Sequence, residues 1–115
     1  MRSLAPDELV YTTLKTSGLP GTKAAWPVGK APELPWFVYK QDRGGEVFAD
    51  NSNYEHMRRY TAELYMKDYD QEVVDRFEEA LAVLSPYTSS ESWIPSENCF
   101  MRSYEFTYHP TSKGE

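Results

Sequence analysis

The chain has 115 residues, of which 40% are hydrophobic and 15% aromatic, with a net charge of -6 and a pI near 4.9. That length makes one domain able to bury roughly two thirds of the surface its unfolded form exposes, without a disulfide or metal. The acidity argues against ordinary nucleic-acid binding, which clusters lysine and arginine against phosphates. No run approaches the ~20 apolar residues of a membrane span, and the N-terminal stretch is too polar for a signal peptide, so synthesis in a cellular cytosol is expected.

In chain order, residues 6–16 place Leu9, Val10, Thr13 and Leu14 on one helical stripe. Pro6 suits the first turn, Asp7 and Glu8 favour its positive end, and Gly18 supplies a stop. Residues 17–35 hold Pro20, Pro27, Pro32 and Pro35 with Gly18, Gly21 and Gly29, which predicts an extended loop with Trp26 tucked against the core. Trp36, Phe37, Val38 and Tyr39 have strand composition. The turn signal Asp42-Arg43-Gly44-Gly45 then leads to a return strand at Val47 and Phe48, and so to a hairpin. The alternation of Tyr60, Ala62, Leu64 and Met66 with Thr61, Glu63, Tyr65 and Lys67 has period two.

Asp70 is a good N-cap for a helix that repeats Val73, Val74, Phe77, Leu81 and Leu84 at helical spacing, with Asp75, Arg76, Glu78 and Glu79 on the wet side. Pro86 stops it. Ser89, Ser90 and Glu91 lead into a brief strand at Trp93 and Ile94, ended by Pro95. From Cys99 to Tyr108, Phe100, Arg102, Tyr104, Phe106 and Tyr108 share one parity. These elements predict an α+β fold: an antiparallel sheet of about four to five strands with two helices packed on one face. The domain spans 1–110, and 111–115 forms a flexible polar tail.

Reactive chemistry finds little support. His56 and His109 belong to no ligand-spaced cluster, so no metal site is expected. Ser89, Ser90 and Ser92 lack a nucleophile frame, and Gly44-Gly45 lacks the lysine and spacing of a phosphate loop. Glu78 and Glu79 solvate a helix face rather than converge in a cleft. The lone Cys99 reads as a small hydrophobe in an aromatic strand. The chain is therefore read as a non-enzyme with no cofactor. Nine tyrosines, five phenylalanines and three tryptophans exceed what one small core hides, which points some of them toward protein interfaces and the chain toward an oligomer.

The succession LKTSGLP, APELPWFVYK, FADNSNY, YTAELYMKDYDQEVVDRFEEAL, the step from Trp93 to Glu97 and the closing CFMRSYEFTYH resembles the tail terminator family. These minor structural proteins of long-tailed bacteriophages and prophages are also called tail completion or tail-to-head joining proteins. The resemblance runs from about residue 14 to 108. It implies a hexameric ring that caps the tail tube, ends its polymerisation and offers a docking surface to the head-completion connector. DNA would pass through the lumen without being gripped, in keeping with an acidic chain. Location would be the head–tail interface of the virion after synthesis in the bacterial host, with the isolated chain able to stay monomeric until it meets a tube.

Residues matching the family's pattern are Pro35, Tyr39, Asp50, Asn51, Tyr54, Leu64, Tyr65 and Trp93. Trp26 in the loop 18–34 and Arg43, Gly44 and Gly45 at the hairpin tip are candidate contacts with a neighbour or the tube. The rival readings are a head-closure or adaptor connector protein and a small ligand-binding domain with a pocket between sheet and helices.

Overall fold

The computed structural model describes residues 6–42 and 58–108. Helix α1, Pro6–Lys15, carries Asp7 and Glu8 in its first turn and Lys15 in its last, so both ends complement the helix dipole. Val10 and Leu14 are wholly buried, and the half-buried Tyr11 packs beside them. Thr16, Ser17 and Gly18 close the helix with N–H bonds to the carbonyls of Thr13, Leu14 and Lys15, and Gly18 adopts φ 86°, a left-handed conformation that suits glycine.

Strand β1, Gly21–Lys23, follows directly and lies parallel to β2, Trp36–Asp42, in the register Gly21 to Phe37. This corrects the expectation of an unbroken loop over 17–35. Proline and glycine bar a central strand, but β1 is three residues long and sits at a sheet edge, where Pro20 before it forfeits no ladder bond. Gly21 is required there, because a Cβ at this position would fall inside the Phe37 ring.

Strand β2 pairs antiparallel with β3, Arg58–Met66, from Trp36 opposite Tyr65 to Asp42 opposite Arg59. The expected hairpin partner at Val47 and Phe48 lies outside the described residues, as does the tail 111–115. Helix α2, Gln71–Leu84, begins at Asp70, whose carboxylate accepts the Glu72 and Val73 N–H groups at 3.0 and 3.4 Å. Val73, Val74, Phe77, Ala80 and Leu81 form its buried stripe. The chain then enters β4, Tyr87–Ile94, and returns as β5, Cys99–Tyr108. Strand β4 starts six residues earlier than the brief Trp93 strand expected. Its serines have low strand propensity, yet β5 supplies a full antiparallel partner from Tyr87 to Ile94.

The described residues form a five-stranded sheet in the order β1-β2-β3-β5-β4, antiparallel except for β1 with β2. Alternation sorts its side chains. Phe37, Tyr39, Tyr60, Ala62, Leu64, Met66, Tyr104 and Phe106 form one core with Val10, Leu14, Phe77 and Leu81, so α1 and α2 cover the same face. The α+β fold stands as read, with one parallel edge added.

Candidate interaction surfaces

The face of the sheet away from the helices is divided in two. At one end Trp36 of β2 lies opposite Tyr65 of β3, ring centroids 4.7 Å apart, and Trp26 of the β1–β2 connection packs edge-on against Trp36 at 5.8 Å. Trp26 thus packs on the outer face rather than in the main core. Its Nε1 is enclosed and meets no acceptor among the described residues. Tyr65 donates its hydroxyl to Glu63 at 2.9 Å, and burial together with that carboxylate pushes the phenol well above its ordinary range.

Past Trp26 the connection makes a tight turn. The Lys30 N–H bonds to the Pro27 carbonyl at 2.9 Å with Gly29 at φ 75°, and Val28 at the tip is 100% exposed. The loop assigned to neighbour contacts therefore holds a tucked tryptophan and an apolar tip in water. Pro35, joined to Leu34 by a cis peptide, brings the chain back into β2.

Toward β4 the same face turns to hydroxyls and carboxylates. Thr88, Ser90, Ser103 and Glu105 of that face line a shallow open depression of about 240 Å³, bordered by Ser89. Nothing in it pairs a nucleophile with a base, and the described residues hold no cluster of three His, Cys, Asp or Glu side chains.

The remaining candidates do not converge. Tyr39 points into the helix-side core, 6.0 Å from the Tyr11 ring, and accepts the Ala24 N–H on its carbonyl. Burial, with Asp7 and Tyr11 nearby, pushes its phenol up to about 12. Trp93 is 45% exposed on β4 and packs edge-on against Phe100 at 4.8 Å. Arg43, Gly44, Gly45, Asp50, Asn51 and Tyr54 lie outside the described residues.

Sequence reasoning missed the polar cluster around Arg102 of β5. Its guanidinium reaches Glu91 of β4 at 2.7 Å, Ser89 at 3.1 Å, Glu78 of α2 at 3.3 Å and the Tyr104 hydroxyl at 3.0 Å. Tyr104 in turn donates to Glu78 at 2.9 Å. Glu78 is therefore not merely solvating a wet helix face. Desolvation works against the charge on Arg102, but its bonds to Tyr104 and Glu91 and the nearby Glu78 hold the guanidinium more firmly protonated. The available signal was an arginine at core parity between Phe100 and Tyr104.

A second tie joins α1 to the sheet: Tyr60 donates to Asp7 at 2.5 Å, and the Lys23 ammonium pairs with the same carboxylate. Cys99 is buried, and burial pushes its thiol up, away from the reactive thiolate. No helix among the described residues is long and apolar enough to cross a membrane.

Compared with protein-family models and with curated proteins, the chain matches none. Both polar clusters are internally satisfied ties between layers. Among the described residues, the surfaces left for partners are the Trp26 to Tyr65 aromatic ladder with its Val28 turn and the β4 edge with Trp93.

Proposed function

We propose that the chain is a non-enzymatic structural protein that caps the tail tube of a long-tailed bacteriophage or prophage as a ring, ends tail polymerisation and helps join tail to head. The observation that carries the reading is the placement of aromatic side chains outside the helix-side core. Trp26, Trp36 and Tyr65 stack on the outer sheet face beside a loop that holds Val28 fully in water. Such amphipathic rings at a deformable loop are the material of protein interfaces. A closed ring uses two different patches per subunit, and a ladder on one face with a loop at its border provides one of them.

The acidic balance supports a lumen through which DNA passes without being held. The tube protein would be the partner below the ring and a head-completion connector the partner above. Electron microscopy of tubes assembled from the cognate tube protein, with and without this chain, tests the reading. Tubes of controlled length bearing an extra terminal ring are expected; uncapped tubes of unchanged length would overturn it. Binding to portal rather than to tube protein would favour a head-closure or adaptor role instead.

A further inference from the structure

The two edges of the sheet differ. Strand β1 is three residues long and follows Pro20, whereas β4 runs for eight residues with no described strand on its outer side. Residues 88–93 are all exposed. Edge strands are commonly blunted by internal proline, lysine, bulges or covering elements. Strand β4 has no proline or lysine within it, and its single charge, Glu91, is drawn onto Arg102 of its own chain.

We propose that this edge pairs antiparallel with the β4 edge of a second copy, centred on Ser90, joining two five-stranded sheets about a two-fold axis. The occupant is specified by the strand's own pattern. A two-fold axis normal to the sheet keeps Tyr87, Ser89, Glu91 and Trp93 on the helix side in both copies. With Ser90 opposite itself, Tyr87 faces the second copy's Trp93, and Trp93 faces the second copy's Tyr87. The 45% exposed Trp93 thereby gains an aromatic cross-strand partner at each end of the ladder.

The same register sets each Glu91 opposite a Ser89 and, on the outer face, Thr88 opposite Ser92. Sliding by two residues in one direction would oppose Glu91 to Glu91, and sliding in the other would set Tyr87 against Glu91. Centring on Ser90 avoids both and keeps the two aromatic pairs. Each chain carries a charge of -6, but the edge itself presents a single carboxylate already paired with arginine. The contact is small, so the dimer is concentration-dependent.

The pairing goes beyond tube capping and does not rest on it, since it concerns the free chain in solution. Sedimentation equilibrium of the full chain over a wide concentration range reads it out. The wild type is expected to associate reversibly to a dimer. S90K, which sets two ammonium groups directly across the axis, should weaken that dimer by about a hundredfold, and the exposed helix control V83K should leave it unchanged. Circular dichroism checks that both variants fold.

Under mild oxidation S90C is expected to cross-link to its own copy, while T88C, which faces Ser92, is not. A wild type that stays monomeric at every concentration would overturn the proposal and leave the edge to a strand of another protein. A dimer or ring indifferent to S90K would overturn it equally.

Discussion

The Tyr104 hydroxyl, on a ring that is wholly buried in β5, donates to the Glu78 carboxylate of α2 at 2.9 Å, and Arg102 bonds to both groups. One arginine thus ties the covering helix, its own strand and the edge strand β4 together, since it also holds Glu91. Removing one member leaves the others short of partners in a half-buried setting, which is the costly way to disturb such a group.

Arg102→Ala is accordingly expected to destabilise the fold by about 2 kcal/mol in urea unfolding. The side chains of Arg102 and Glu78 are 17% and 25% exposed, which keeps the cost below that of a fully buried pair. A double-mutant cycle with Glu78→Gln should return a coupling of about 1 kcal/mol. Simple additivity of the two losses would show that the bridge is only geometric.

Phe77 sits between Phe37 and Tyr104, with both ring centroids 5.3 Å away, and is 0% exposed. Phe77→Ala should cost about 3 to 5 kcal/mol and lower the urea midpoint accordingly. On the opposite side of the same helix Val83 is 76% exposed, so Val83→Ala should change stability by no more than about 0.5 kcal/mol.

Trp26→Ala removes the outer member of the aromatic ladder without opening the helix-side core. Circular dichroism should show an unchanged fold and urea unfolding a loss of about 1 to 2 kcal/mol, while the proposed capping role requires capped tubes to disappear from micrographs. Normal capping by a folded Trp26→Ala chain would remove the ladder from the docking surface.

Tyr39 carries the pH prediction. Its phenol ionises at about 12 in the folded chain, above the value of about 10 of an unfolded one. The folded state therefore holds this proton more tightly. The stability it contributes is complete below about pH 10 and is lost as pH rises toward 12. Tyr39→Phe should flatten that part of the alkaline unfolding profile and remove one late step from the tyrosinate absorbance titration. An identical profile in the variant would assign the alkaline loss to other buried phenols such as Tyr104, whose phenol burial also pushes up.

Both helices, the Asp70 cap and the inward parity of β3 and β5 were legible in the sequence. Helical spacing and strand alternation are local consequences of which side chains must leave water, and a carboxylate before a helix bonds its first N–H groups wherever the helix lies. Strand β1 was not legible. Its three residues pair with β2 only because Gly21 admits the Phe37 ring, a contact between segments sixteen residues apart. Most of strand β4 was not legible either, because the five polar and small residues from Thr88 to Ser92 give no periodic signal until β5 lies alongside.

The α+β class, the core-facing stripes and the surplus of aromatic side chains follow from local composition and period alone. Long-range packing set Glu78, Glu91 and Tyr104 around Arg102, put Trp26 on the outer face rather than in the core, and left β4 with no described strand beyond it. These depend on strand order and on which face the helices cover, and both are set by the balance of packing over the whole chain rather than by any one segment of it.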